Sequence, residues 1–164
     1  MSLCILDMLV SSILGRPPAT SHLRSNIPPL IQSLATDPST ESIVASYQIL
    51  SIVDDAVEKL YREGKASAAS VSNFMSKMER WSTSLPSGLR TSSDSKSTIS
   101  NIHVSCLYYF AVTVVTRPIL VASLNSQEPS ALATACLDAA VLLIQTCADA
   151  KSAGILLGSM CIMK

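Results

Sequence analysis

An apolar run carrying a single acid occupies residues 4–19, CILDMLVSSILGRPPA, and ends in Gly-Arg-Pro-Pro. Leu3, Leu6, Val10 and Ile13 or Leu14 recur at steps of three and four, the period of one helix face. Two successive prolines cannot continue a helix. The run therefore predicts a helix over residues 2–14 with Gly15 as its left-handed cap. A second Arg-Pro pair, Arg117-Pro118 in YYFAVTVVTRPIL, follows another apolar stretch and predicts a second stop, closing a helix over residues 98–116.

Charged residues make up 15% of the 164 positions and apolar residues 48%, against about 25% charged in an average globular domain. Much of the surface is therefore expected to be covered. A membrane span needs about 20 consecutive apolar residues. The best stretch, residues 102–116, contains His103 and is expected to end at Arg117-Pro118; residues 139–148 and 153–163 are shorter. The start of the chain lacks a basic leader and carries Asp7 inside its apolar run, unlike a secretory signal. The expectation is a soluble intracellular chain without a membrane partner. Twelve basic residues balance twelve acidic ones without a Lys/Arg run, so these residues present no footprint for direct nucleic-acid contact. The five cysteines, Cys4, Cys106, Cys136, Cys147 and Cys161, form no C-x-x-C pair and read as free thiols in a reducing compartment.

The fold class is all-α, an irregular array of about five to six helices in one unit. After a connector with Pro28-Pro29 and a short turn around Leu30, Ile31 and Leu34, Asp37-Pro38 signals a helix start. The stripe Ile43, Tyr47, Leu50, Val53, Val57 and Leu60 follows, closed by Gly64. A further helix begins near Ser67 with Val71, Met75, Met78 and Trp81 inward, antiparallel to the one before. Residues 86–98 are Ser-rich and read as an exposed linker. The last helix begins near Ser130, with Cys136, Ala140, Leu143 and Cys147 forming a stripe suited to close helix contact.

Several groups could carry chemistry. Asp54, Asp55 and Glu58 form a D-D-x-x-E segment, and hard oxygen ligands on one helical turn suit magnesium, as in an isoprenoid-diphosphate enzyme. The same spacing sets Asp55 against Lys59 and Glu58 against Arg62, the salt-bridge lacing of a solvated face. His22 is expected in an exposed connector, and His103 near a helix start where it could cap or bond within the core. Trp81, Tyr108, Tyr109 and Phe110 could form an aromatic ligand box or simply core. Arg16 and Arg117 each follow an apolar helix, where a cation meets the last carbonyls; sensing a ligand is their functional alternative.

Taken in order, residues 5–19, Ile27-Pro28, MSKMERWSTSLP (75–86), LYYFAVTVVTRPIL (107–120) and CLDAAVLLI (136–144) resemble the fungal-specific transcription factor domain. This is the middle homology region, or xylanolytic activator regulatory domain, of zinc binuclear cluster regulators. The matching positions are Asp7, Gly15, Arg16, Pro17, Trp81, Pro86, Tyr109, Arg117, Pro118, Cys136 and Ala140. Met8 stands where the family commonly has arginine, and His22-Leu23-Arg24 replaces its usual acids. The resemblance implies an incomplete copy, over residues 1–164, of a nuclear, non-enzymatic regulatory domain. It implies zinc and DNA contacts in a cysteine cluster absent from this chain, and no cofactor within it. Its partners would be the rest of such a domain or another protein, met through exposed apolar helix faces. The closing GILLGSMCIMK reads as a core-like segment left without a partner. A small isoprenoid-diphosphate enzyme and a free-standing helical adaptor are the alternatives.

Overall fold

A computed structural model describes residues 2–22, 40–90, 98–123 and 130–155. Five α-helices carry these residues: α1 (Ser2–Leu14), α2 (Glu41–Ala56), α3 (Ala68–Ser84), α4 (Ile99–Ser123) and α5 (Ala131–Ser152). The protein is an all-α multi-helix array, with no strand among the described residues. The expectations for Ile27-Pro28, the turn near Leu30, Asp37-Pro38, Cys161 and most of the closing segment lie outside the described residues.

α2 is the central rod because its apolar positions cover more than one face. Tyr47, Leu50, Val53, Val57 and Leu60 are buried as the periodicity predicts, and Ile49 and Ala56 are buried as well. α1, α3 and α4 all pack on α2. Beyond Ala56 the rod continues as a π-helical segment, Val57–Arg62, ending at Gly64 with φ 67°. α3 starts at Ser67, whose hydroxyl accepts a hydrogen bond from the Ser70 amide at 3.1 Å, filling one of the donors a helix start leaves open. Its buried face is Val71, Phe74, Met78 and Trp81. Phe74 takes the place expected for Met75, which is only partly buried.

The expected exposed linker is docked at its beginning. Ser87–Leu89 forms a 3₁₀ turn with Leu89 buried, and Arg90 donates through Nε to the Leu85 carbonyl at 2.7 Å and through Nη2 to the Thr83 carbonyl at 2.6 Å. Those are end-of-helix carbonyls that α3 cannot satisfy itself. Pro86 is exposed.

The face that α1 buries and the end of α4 both differ from what the sequence pattern alone suggests. The stripe Leu3, Leu6, Val10, Ile13 and Leu14 faces outward, while Cys4, Met8 and Ser11 form the buried face; this helix is apolar on both sides, so periodicity alone did not select one. Arg117-Pro118 is not a stop either: α4 runs through it to Ser123. A proline inside a helix removes the N–H that would bond the carbonyl four residues back, here that of Val114. The Tyr61 hydroxyl donates to that carbonyl at 2.6 Å, so the acceptor is satisfied from the neighbouring π segment and the helix continues.

Without the stop, the length argument against a membrane span also falls. α4 and α5 are both long and apolar enough to cross a bilayer by length and composition alone. α4 is nonetheless packed against α2, α3 and α5, and its closest partner is α5. Ser130 caps α5 by accepting from the Ala133 amide at 3.2 Å. Ala133, Cys136, Ala139 and Ala150 are the buried residues of α5; their small side chains let it lie close on α4.

Candidate functional site

The first Arg-Pro segment is a built turn. Gly15 takes φ 66°, a left-handed conformation that side chains with Cβ rarely adopt, and the Arg16 amide reaches back to the Ser11 carbonyl at 3.0 Å. This is the backbone closure expected of a glycine-ended helix. Asp7 then holds the chain after the prolines: one carboxylate oxygen accepts from both the amide and the hydroxyl of Thr20 at 2.8 Å, the other from the Ser11 hydroxyl at 3.4 Å. These bonds, the Thr20 amide foremost, hold the Asp7 carboxyl below the ordinary aspartate range, with Arg16 adding a smaller electrostatic pull. Pro18 is buried, whereas Arg16 and Pro17 are exposed.

The second Arg-Pro segment faces the end of α1, just before the first, across a cavity of about 700 Å³. Its lining includes Ile13 and Leu14 from α1 and Gly15 just after it, Val57 and Tyr61 from the π segment, and Phe110, Val114, Arg117, Pro118 and Val121 from α4. Three departures from regular helix therefore converge on one space: the glycine-ended turn of α1, the π segment and the proline of α4. π-helical insertions recur at functional sites in proteins generally. Burial raises the Tyr61 phenol pKa, and the nearby Arg117 charge opposes the rise. Arg117 is exposed and, among the described residues, makes no ion pair or hydrogen bond. It sits within α4, not at its end, so the expected role as a cation on the last carbonyls does not apply.

The aromatic residues divide. Trp81 and Tyr108 stack with ring centres 6.1 Å apart, Tyr109 meets Tyr108 edge-on at 5.8 Å, and all three line a smaller cavity of about 370 Å³ with Arg90. Phe110 faces the larger cavity instead. Among the described residues the buried Trp81 indole N–H has no hydrogen-bond partner.

The remaining expected positions are separate from both spaces. Cys136 is buried in the α4–α5 contact, its thiol 3.7 Å from the Thr113 carbonyl, and Ala140 is half-buried one turn on. Glu58 pairs with Arg62, as the four-residue spacing predicts; Asp54 is half-buried and Asp55 exposed. Among the described residues no group of three or more His, Cys, Asp or Glu side chains gathers to hold a metal. His103 stands exposed on α4 rather than bonded in the core, and His22 is exposed with Nδ1 3.1 Å from the Ala19 carbonyl.

Two features escaped the sequence reading. The Tyr61–Val114 bond joins residues 53 apart; its only local signal is that Ile119, Leu120 and Val121 continue the apolar pattern past Pro118. The thiols of Cys106 and Cys147 lie 3.9 Å apart across the α4–α5 contact, and no spacing rule links cysteines on separate helices. No protein-family model matches the chain, nor does any curated protein or solved structure.

Proposed function

We propose that this chain is a regulatory module of a fungal zinc-cluster transcription factor, working in the nucleus by docking apolar helix faces onto the rest of a regulatory domain or a partner protein. The reading draws its family from the ordered motifs around Asp7, Gly15-Arg16-Pro17, Trp81, Pro86, Tyr109, Arg117-Pro118, Cys136 and Ala140. The observation that carries the docking is the outward face of α1. Leu3 is 71% exposed, Leu6 57% and Ile13 65%, and with Val10 they repeat at three, four and three residues, the spacing of a helix-pairing seam. Leu137, Val141 and Ile144 form a second exposed apolar row on α5. Contiguous apolar surface of this kind marks interaction sites. Zinc and DNA contacts belong, in this reading, to a cysteine cluster outside the chain, and the residues here perform no catalysis.

The test is a yeast reporter assay with the full chain fused to a heterologous DNA-binding domain. The fusion is expected to change reporter output several-fold relative to the DNA-binding domain alone. Leu3→Glu with Leu6→Glu should abolish that change at equal protein abundance. Reporter output indifferent to the unmodified chain contradicts the proposal.

A further inference from the structure

The larger cavity has a polarity that specifies a ligand. Its walls are mostly aliphatic and aromatic, within the usual size range of small-molecule sites, about 300–1,000 Å³. Its hydroxyls are already committed: Ser12 donates to the Leu9 carbonyl at 2.7 Å, Thr113 to Tyr109 at 2.9 Å, and Tyr61 to Val114 at 2.6 Å. The Arg117 guanidinium is the lining donor left without a partner among the described residues. We propose that this cavity binds an amphiphilic monocarboxylate, its apolar body held between α1, the π segment and α4 and its carboxylate on Arg117. A planar guanidinium matches a carboxylate through two parallel N–H···O bonds. One cation and no further free donor suit a single negative charge better than a phosphate. This inference stands independently of the transcriptional reading, since it rests only on the cavity and its charge.

The probes are sodium decanoate, decanol and decyltrimethylammonium, each below its micelle concentration, titrated calorimetrically into the full chain. Decanoate should bind at least about tenfold more tightly than decanol, the equivalent of about 1.4 kcal/mol. Arg117→Gln should bring decanoate down to the level of decanol without changing decanol, and Arg117→Glu should reverse the preference towards decyltrimethylammonium. Because Arg117 is exposed, neither substitution disturbs the core, and an unchanged circular dichroism spectrum checks this. Equal binding of decanoate and decanol, or decanoate binding that survives Arg117→Gln, overturns the proposal, as does an absence of binding by all three.

A separate observation carries a second inference. The Cys106 and Cys147 thiols face each other at 3.9 Å, with Cys147 exposed and Cys106 half-buried. We infer that a disulfide oxidant such as oxidised glutathione cross-links α4 to α5 through these two residues. The Cys147 thiolate attacks one glutathione sulfur, breaking the glutathione disulfide, forming a mixed disulfide and releasing one glutathione thiol. Cys106 then gives its proton to solvent and attacks the Cys147 sulfur, forming the Cys106–Cys147 bond and releasing the second glutathione. Burial and the neighbouring Cys147 push the Cys106 thiol up to about 11, which makes it the slower, resolving partner. Mass spectrometry after oxidation should find a peptide linking residues 106 and 147 in the native chain. Cys106→Ser should instead retain glutathione on Cys147, and Cys147→Ser should leave Cys106 unmodified. Persistent glutathione on Cys147 of the native chain, or cross-links through other cysteines, overturns it.

Discussion

Val114 carries a carbonyl that its own helix cannot satisfy, because the residue four positions on is Pro118, and the Tyr61 hydroxyl supplies the missing donor. Tyr61→Phe should therefore cost about 1 kcal/mol, the net value of an ordinary hydrogen bond. In a Pro118→Ala background the backbone N–H returns and the same change should cost much less. Chemical denaturation of the four variants in a double-mutant cycle measures the difference. Asp7 provides a second test at this scale. Its folded carboxyl titrates below the ordinary value near 4, so its contribution is present above that pH and fades as the pH falls through the lowered folded value. Asp7→Asn should lower the melting temperature at neutral pH and flatten the acid limb of the stability profile. Equal acid sensitivity in the two proteins would count against the Thr20 contacts.

Among the elements, α3 was legible because it has one dominant apolar period and α2 because its stripe from Tyr47 to Leu60 is buried as the spacing predicts; the ends marked by Gly15, Gly64, Ser67 and Ser130 were legible because those residues act locally. α1 was harder to read. Leu3, Leu6, Val10 and Ile13 make the more obvious stripe, yet Cys4, Met8 and Ser11 face the core; both faces suit burial, and only the surface of α2 decides between them. Met8→Ala should cost about 2–5 kcal/mol, as deletions from a packed core do, whereas Leu6→Ala should stay within about 0.5 kcal/mol. Urea unfolding of both variants reads this directly, and the reverse order would turn α1 over. α4 was misread for a related reason: a proline ends a helix unless another element completes the ladder, and that element is distant in sequence.

At the scale of the molecule, α2 and α4 form the centre, with Ile49, Leu50, Val53, Met78 and Val115 in its most buried layer. α1 and α3 lie on α2, and α5 lies on α4. The all-α class follows from helical periods along the chain. The cavity between α1, the π segment and α4 does not, since it exists only where a turn, a widened helical segment and a proline are brought together in space. The two Arg-Pro segments were visible in sequence as helix stops; the approach of the end of α1 to Arg117-Pro118 at one apolar space was not. The arrangement depends on Tyr61 lying against α4 beside Pro118 while that helix continues. Nuclear Overhauser contacts from the Tyr61 ring in the full chain test it most directly. We expect cross-peaks to the side chains of Val114 and Pro118, with helical contacts persisting beyond Arg117. A Tyr61 ring remote from both, with helical contacts ending before Arg117, would contradict it.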